Sequence, residues 1–201
     1  MTITINGQTF ELNAEQESKL KVALGLQGKQ LSEIAVGEIA NIAGIDWIVL
    51  EQNGDSVLCL AKDFVYENTK FDNNTNNYAN SSIRQTLNGE FLDKITKEIG
   101  ADAILATEID LTSDDGLDDY GKVTAKVGLL TCDMYRKYNR IIENYKVNDW
   151  WWLATPWSTP HRGYDYAVRC VYFNGALYFN NCYDDFGVRP FCTFKSSIFV
   201  S

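Results

Sequence analysis

Residues 149–153 read Asp-Trp-Trp-Trp-Leu, a run that is too apolar for a strand on the surface of a protein. Indole rings are large, and each carries an N–H group that needs a hydrogen-bond acceptor when the ring is buried. We therefore predict that at least two of the three indoles are buried anchors of the core, with their N–H groups satisfied.

The chain after this run has the pattern of a small sheet. It predicts a loop at 155–165, a hairpin of Tyr166–Phe173 and Ala176–Asn181 around Asn174-Gly175, and a last strand at Val188–Phe194. The register of the hairpin stays open. A two-residue turn places Val171, Phe173 and Tyr178 on one face. A three-residue loop pairs Val171 with Leu177 instead.

The chain before the run predicts further strands and helices. It predicts a hairpin of Ile45–Leu50 and Ser56–Ala61, a loop at 72–80 that is too polar to pack, a helix that begins at Ser81 or Ser82, a buried strand at Val127–Thr131, and a helix capped by Asp133 that runs to about Ile142. In the first helix, apolar residues recur every four positions and form a stripe that faces the core. The stripe consists of Ile83, Leu87, Phe91 and Ile95.

Residues 110–121 form an acidic stretch that contains five aspartates. A calcium site is one interpretation, because carboxylate oxygens are ligands that Ca²⁺ prefers. The stretch lacks the spacing and the closing Glu of an EF-hand loop, so a solvated loop is the interpretation that we favour. We predict no metal and no cofactor.

Residues 1–34 have the pattern of an appendage to a main domain at 35–201. The alternation around Asn6-Gly7 predicts a hairpin with a type I′ turn. Asn13, with Gln16 three residues later, predicts the start of a helix at about 14–24 that Gly25 ends. The appendage is either the edge of the domain or an attachment or oligomerisation element.

Size and charge narrow the class of protein. A chain of 201 residues is long enough to bury a core without a disulfide or a metal. Its 18 Lys and Arg against 27 Asp and Glu give a net charge of −9, which argues against nucleic acid or an anionic membrane as the partner. The N-terminus has no signal-peptide pattern and no stretch has the length of a membrane span, so we predict synthesis in the cytoplasm without membrane insertion.

The cysteines and the histidine do not indicate an enzyme. The five cysteines show no C-x-x-C spacing, so we predict reduced, buried thiols that pack as small hydrophobic residues. The chain has one histidine, His161, which leaves little room for a histidine-based triad or metal site. Its place between Pro160 and Arg162 predicts an exposed loop residue.

The composition changes abruptly at residue 158. Lys, Glu, Gln, Met and Trp make up 35 of the first 157 residues, but none occurs from Ser158 to Phe194. In a chain of uniform composition such a gap has a probability on the order of 10^-4. One cause is a β-rich segment that favours aromatic residues over long flexible side chains. The other cause is genetic. Lys, Glu, Gln, Met and Trp are the five residue types that an asparagine codon ending in C cannot encode after its first two bases are randomised.

Several motifs resemble a known family. They are Gly37-Glu38 before Ile45-Asp46-Trp47, Ser-Ile-Arg-Gln-Thr-Leu-Asn-Gly-Glu-Phe-Leu at 82–92, Trp151-Trp152-Leu153, Asn174-Gly175, and Gly187-Val188-Arg189-Pro190. Over about residues 35–201 the chain is similar to a bacterial and prophage domain family with a C-type-lectin-like fold. Some members of that family are variable proteins of diversity-generating retroelements.

The resemblance implies an α+β fold of the C-type-lectin type, in the variant found in formylglycine-generating enzymes, with small antiparallel sheets and two main helices. In the retroelement systems a reverse transcriptase copies a template with errors at adenines, and the copy replaces the 3′ part of the gene. A variable region at about 158–186 is therefore implied, and the composition gap fits it independently. For prophage members the resemblance also implies association with the virion.

On this resemblance the C-terminal third divides into framework and binding face. The framework would comprise Trp151, Trp152, Leu153, Cys170, Cys182, Val188, Arg189, Pro190 and Cys192, with Arg189 as a strut for a buried carbonyl or carboxylate. The ligand-binding residues would be His161, Arg162, Tyr164, Asp165, Tyr166, Tyr172, Phe173, Tyr178, Phe179, Asn181, Tyr183, Asp184, Asp185 and Phe186. Such a mixture of aromatic and short polar residues is typical of antibody paratopes, so we predict a protein or cell-surface receptor as the ligand.

Three alternatives remain open. A calcium-dependent sugar lectin would carry the E-P-N, Q-P-D or W-N-D motifs of that family, and none of them occurs. A formylglycine-generating enzyme would use a cysteine pair with copper, for which Cys170 and Cys182 are the candidates, but no other motif of that family is present. The third is an invariant protein- or carbohydrate-binding module with the same fold.

Overall fold

The computed structural model describes residues 2–23 and 28–200. These residues form an α+β fold of two larger sheets, two two-stranded sheets and four helices, so the predicted fold class is confirmed at this level. The helices are α1 (Ala14–Ala23), α2 (Ser82–Thr86), α3 (Leu92–Ile99) and α4 (Cys132–Ile142). The strands are β1 (Thr2–Ile5), β2 (Gln8–Glu11), β3 (Ile39–Ile42), β4 (Ile45–Asn53), β5 (Ser56–Ala61), β6 (Tyr66–Lys70), β7 (Ile104–Leu105), β8 (Thr107–Asp110), β9 (Lys122–Ala125), β10 (Val127–Leu129), β11 (Trp151–Pro156), β12 (Ala167–Val171), β13 (Leu177–Asn181), β14 (Asp185–Val188) and β15 (Pro190–Lys195).

The first large sheet has the strand order β10-β15-β5-β4-β3, and β7 also pairs with β15. All of its strand pairs are antiparallel. The predicted hairpin of β4 and β5 is confirmed, because Asn53 pairs with Ser56 around Gly54, whose φ is 56°. Trp47 of β4 is fully buried and contacts Phe194 of β15 edge to face, with ring centroids 5.2 Å apart. The side chains of this sheet therefore form much of the core.

The helical segment 82–99 contributes the predicted apolar stripe to the core. Ser81 caps it, because the Oγ atom of Ser81 accepts a hydrogen bond from the backbone N–H of Arg84 at 3.3 Å. A π-helical turn joins α2 to α3, and Gly89 takes non-helical dihedral angles inside it. The stripe of Ile83, Leu87, Phe91 and Ile95 is buried throughout, so this prediction is confirmed.

The predicted cap of α4 at Asp133 is wrong. Thr131 caps the helix, since its Oγ1 atom accepts a hydrogen bond from the backbone N–H of Met134 at 3.2 Å. A cap residue needs extended dihedral angles, and Thr131 has them (φ −77°, ψ 166°). Asp133 lies within the first turn, where a carboxylate interacts favourably with the helix N-terminus. The predicted end of the helix at Ile142 is correct.

The second large sheet, of order β13-β12-β11-β14-β6, is built around the tryptophan run. The pair β11–β14 is parallel, and the other pairs are antiparallel. Trp151 is 2% exposed and Trp152 is fully buried, so the prediction of two buried indoles is confirmed. The Nε1–H group of Trp152 donates to the carbonyl oxygen of Thr69 in β6 at 2.8 Å. The sequence pattern does not predict β6, because its residues are mostly polar.

The predicted last strand, 188–194, is two strands in different sheets. The chain leaves the second sheet at the end of β14 and enters the first sheet at the start of β15. Arg189 lies between the two strands, is 1% exposed, and donates from Nε to the carbonyl oxygen of Ala61 at 3.1 Å. Its guanidinium also lies 5.1 Å from the ring centroid of Trp151. The interpretation of Arg189 as a strut for a buried carbonyl is therefore confirmed.

The hairpin of β12 and β13 has the three-residue loop. Val171 pairs with Leu177, and the backbone N–H of Tyr172 donates to the carbonyl oxygen of Ala176 at 2.9 Å. Gly175 within this loop has a φ of 88°, a conformation that glycine adopts without strain. This register excludes the two-residue turn that the sequence left open.

The N-terminal segment has the predicted turn and helix start. Asn6 and Gly7 both have positive φ, 50° and 80°, as a type I′ turn requires. The side chains of Asn13 and Gln16 each accept a hydrogen bond from the other's backbone N–H, at 2.9 and 3.1 Å. Gly25, which is predicted to end the helix, lies outside the described residues.

The segment that follows, 28–34, lies against the C-terminal residues. Leu31 is fully buried, and its backbone N–H donates to the carbonyl oxygen of Ile198 at 2.8 Å. Gln30 forms an antiparallel bridge with Phe199. The packed body therefore includes this part of the predicted 1–34 appendage.

We predict that Trp152→Ala lowers the free energy of unfolding by about 3–5 kcal/mol, because the change removes a buried ring that contacts Phe71 and Phe186. Trp152→Phe keeps an aromatic ring and should cost less, although it leaves the carbonyl oxygen of Thr69 without its donor. Urea unfolding measures both losses. An alanine variant that loses less than about 1 kcal/mol would contradict the placement of this ring in the core.

Candidate functional site

The fourteen residues predicted for ligand binding lie in three segments that contact one another. They are the loop 161–166, the β12–β13 hairpin, and the turn 181–186. A backbone hydrogen bond of 2.7 Å from Cys182 to Tyr166 joins the first segment to the third. Among the fourteen, Tyr172, Asn181, Asp184 and Phe186 are half-buried and the other ten are exposed. No predicted binding residue is buried in the core.

Six aromatic side chains dominate this region. Among the described residues, nine large hydrophobic side chains are exposed, and six of the nine lie between residues 164 and 183. These six are Tyr164, Tyr166, Phe173, Tyr178, Phe179 and Tyr183, each 39–49% exposed. We call them the aromatic surface. Tyr178 and Phe179 are consecutive in β13, so the exposed rings border this edge strand on both of its faces. Exposed aromatic side chains concentrated in one part of a fold often mark an interaction site.

Trp150 supports one part of the aromatic surface, although the sequence did not mark it as a site residue. Its ring is half-buried and lies 5.4 Å from the ring of Tyr178 and 4.3 Å from that of Tyr172. It also stacks on Phe186 at 5.4 Å. Trp150 immediately precedes β11, the strand that pairs with β12 of the hairpin. Its position beside the predicted hairpin is the sequence feature that could have marked it as a site residue.

Trp157 and Arg169 support a second part of the aromatic surface. Trp157 immediately follows β11 and stacks on Phe179, with ring centroids 4.2 Å apart. The guanidinium of Arg169 lies 5.2 Å from the ring of Trp157, which is a cation–π arrangement. The Nε atom of Arg169 is 3.7 Å from Oδ1 of Asp114. No sequence pattern identifies Arg169, because its burial depends on the strand pairing.

One amide holds the backbone of the loop before β12. Asn76 is fully buried, and its Nδ2 atom lies 2.9 Å from each of three backbone carbonyl oxygens. The carbonyls belong to Ser158, Tyr164 and Ala167. The prediction that residues 72–80 are too polar to pack is therefore wrong, because a buried amide is stable where it finds hydrogen-bond partners.

Asp115 in the acidic stretch holds the same loop through side chains. Its carboxylate accepts hydrogen bonds from the hydroxyl groups of Ser113 at 2.5 Å and Ser158 at 2.8 Å. The Nε atom of Arg162 lies 3.5 Å from the carboxylate. The bond from Ser113 and the other favourable contacts hold the pKa of the Asp115 carboxyl below its usual value.

Two neighbours of Asp115 complete this support. Asp119 accepts a hydrogen bond from the hydroxyl group of Thr159, and the hydroxyl group of Tyr120 donates to Oδ1 of Asn76 at 2.6 Å. The interpretation of 110–121 as a solvated loop is therefore incomplete, since part of this stretch fixes the loop that carries Tyr164. Within residues 2–23 and 28–200, no group of three or more His, Cys, Asp or Glu side chains could hold a metal ion.

The cysteines and His161 lie as predicted. All five cysteines are free and buried. Burial raises the pKa of the Cys170 thiol to about 12 and that of Cys182 to about 11, so neither is a thiolate at neutral pH. His161 is exposed in the short turn Pro160–Arg162.

Comparison with known proteins gave one match. A family model described as "Domain of unknown function (DUF6273)" matches residues 54–196, which is more than half of the chain. No curated protein and no solved structure matched. The matched range contains the second sheet, α4, Asn76 and the whole aromatic surface.

We predict that Asn76→Ala lowers the free energy of unfolding by about 2 kcal/mol or more, because buried carbonyl oxygens lose their donor. The change should also release the loop, so that the backbone amides of Arg162, Gly163 and Tyr164 exchange with solvent faster. Native-state hydrogen exchange measures both effects. Asn88→Ala is the matched control, since Asn88 is also an amide that binds backbone atoms, but at Val127. Equal loop exchange in the two variants would contradict the role of Asn76.

Proposed function

The chain belongs to the DUF6273 domain family, and within that family we propose that it is a ligand-binding variable protein with a C-type-lectin-like fold, diversified by a retroelement. The aromatic surface carries this proposal. It lies inside the segment that lacks Lys, Glu, Gln, Met and Trp, and it sits on a backbone that other parts of the chain hold in place. Compositional bias and exposure thus coincide on the same residues.

The burial pattern supports a division into fixed and changeable positions. Residues 187–190 are buried, and so are Cys170 and Cys182, which the resemblance assigns to the framework. The fourteen candidate residues are exposed or half-buried. A change at an exposed position alters what the surface binds with little effect on the core, and this is the property that a diversified protein needs.

The chemistry of the surface favours a macromolecular ligand. Tyr and Phe provide a large contact area and have few rotatable bonds to immobilise, while Asp165, Asp184 and Asp185 provide hydrogen-bond acceptors beside them. A protein or a cell-surface receptor fits such a surface. No helix within the described residues is long and apolar enough to cross a membrane.

The retroelement part of the proposal predicts a pattern of variation. Sequencing around the gene should find a reverse transcriptase and a near-repeat of the 3′ end of the coding region. Sibling genes should differ mainly within 158–186, at codons where the template carries AAC, and should keep residues 187–190. Differences spread evenly over the chain would exclude diversification by a retroelement and would leave the proposed fold unaffected.

The binding part of the proposal predicts that a few aromatic residues dominate affinity. The combined change Tyr164→Ala, Tyr178→Ala and Tyr183→Ala should abolish binding of the labelled protein to target cells in flow cytometry, since one hot-spot residue is worth about 2 kcal/mol or more. Phe10→Ala is the control, because Phe10 is similarly exposed but lies far along the chain in β2. EDTA should have no effect. Loss of binding in EDTA would favour the calcium lectin, and full binding by the triple variant would place the site elsewhere.

A further inference from the structure

β13 forms one edge of the second sheet, because β12 is its only neighbour in the strand order. The backbone groups of Ala176 and Cys182 bond across the hairpin to the β12 side. Since such bonds alternate along an antiparallel pair, the backbone groups of Leu177, Phe179 and Asn181 point away from β12. The N–H and C=O groups that point outward from an edge strand can pair with another chain.

Two residues of this edge are open to a partner. The N–H group of Asn181 donates to Oδ2 of Asp184 at 3.1 Å, and the C=O group of Asn181 accepts from the backbone N–H of Asp184 at 3.0 Å. In the described part of the chain, no hydrogen bond reaches the outward groups of Leu177 or Phe179. The edge therefore offers two donors and two acceptors to an extended backbone, and it ends at the turn that Asp184 closes.

The opposite edge of the same sheet, β6, is protected. It carries Glu67 and Lys70, which are both exposed, and Asn68 at its centre has a φ of 47°. Its pairing with β14 also contains a register shift. Charged residues and an irregular backbone are features that keep edge strands from pairing with other chains. β13 has a regular register and carries neither a charge nor a proline, so it lacks this protection.

Aromatic rings flank the open edge on both faces. Tyr178 is 48% exposed and lies against Trp150, whereas Phe179 is equally exposed and stacks on Trp157. Successive side chains of an added strand would also point to opposite faces, so one set would contact Tyr178 and the other would contact Phe179. Apolar or aromatic side chains fit both contacts.

Charge selects the kind of segment that fits. The only charged residues from 172 to 186 are Asp184 and Asp185, which lie shortly after β13. A second copy of this chain would bring its own net charge of −9 to the edge, whereas a basic segment complements the two carboxylates. We propose that the ligand is a protein whose extended segment adds a sixth strand beside β13 and places a Lys or Arg next to Asp184. This inference rests on the proposed ligand-binding function.

Strand addition suits a surface whose side chains change. The hydrogen bonds use backbone groups, which are the same for every residue type at 177–179 except proline. The side chains of Tyr178 and Phe179 then decide which segment is preferred. Affinity and specificity thus come from different groups of the same strand.

Hydrogen exchange of the ¹⁵N-labelled full-length protein tests the strand addition. The probes are synthetic copies of heptapeptides selected on the protein from a random phage-displayed library. A bound peptide should slow exchange of the Leu177 and Phe179 amides by about tenfold or more, while the amides of Tyr178 and Asn180, already bonded to β12, should change little. N-methylation should weaken binding at every second position of the peptide. Failure to select a peptide, unchanged exchange at Leu177 and Phe179, or equal effects of N-methylation at all positions would overturn the inference.

The same peptides separate this inference from the proposed function. A peptide that loses binding in Tyr178→Ala but leaves the Leu177 and Phe179 amides unprotected would keep the aromatic surface as the binding site and exclude the added strand. Protected amides together with full binding by the triple tyrosine variant would keep the added strand and contradict the aromatic surface.

A pair of variants isolates one backbone donor. Leu177→Pro removes an outward N–H group and should weaken peptide binding by about tenfold relative to Leu177→Ala, which removes the side chain but keeps the donor. A proline is tolerated in an edge strand where its nitrogen faces solvent. Equal affinities of the two variants would contradict the pairing. A dimer in sedimentation that Leu177→Pro dissociates would make a second copy the occupant and would also overturn the proposal.

A second pair tests the charge. Asp184→Asn keeps a carbonyl oxygen for the N–H group of Asn181 but removes the negative charge, so it should weaken the binding of peptides that contain Lys or Arg. Asp93→Asn is the matched control, because Asp93 is exposed in α3 and lies outside the second sheet. Equal affinities of the two variants for a basic peptide would contradict the place given to its Lys or Arg.

Discussion

The buried guanidinium of Arg189 is the contact on which the arrangement of the two sheets depends. It lies where the chain passes from one sheet to the other, and it binds a carbonyl oxygen of β5 while lying over the Trp151 ring of β11. A charge that is almost fully buried is tolerated only where its environment is defined. One side chain therefore fixes the Trp151 ring, the Ala61 carbonyl group and the crossing from β14 to β15 relative to one another. Tyr135 of α4 packs on the Trp151 ring in this arrangement.

The support of the binding region has a property that suits variation. Asn76 binds backbone carbonyl oxygens, which every residue type provides, so its contacts do not depend on which side chains the loop carries. Asp115 and Asp119 bind the hydroxyl groups of Ser158 and Thr159 instead, and both of these residues are buried. The backbone of the loop is thus held in place, while the side chains of Tyr164 and Tyr166, which the loop carries, are exposed.

Two indole rings also pack against residues of the aromatic surface. Trp150 and Trp157 are half-buried under it and come from either end of β11, whose own residues are buried. Rings that stack on a fixed indole keep their orientation, which lowers the entropy that binding would otherwise remove. The two tryptophans that orient exposed rings precede residues 158–194, the segment that lacks Lys, Glu, Gln, Met and Trp.

Some features of this protein follow from the sequence alone, because they depend on neighbours along the chain. The apolar stripe at Ile83, the type I′ turn at Asn6-Gly7 and the burial of the tryptophan run are of this kind, since periodicity, turn preference and hydrophobicity act locally. Other features were decided only by the tertiary structure. The division of 188–194 between two sheets, the pairing of polar β6 and the burial of Asn76 beneath a loop 82 residues away all depend on partners that the fold brings together, and local propensity carries no information about such partners.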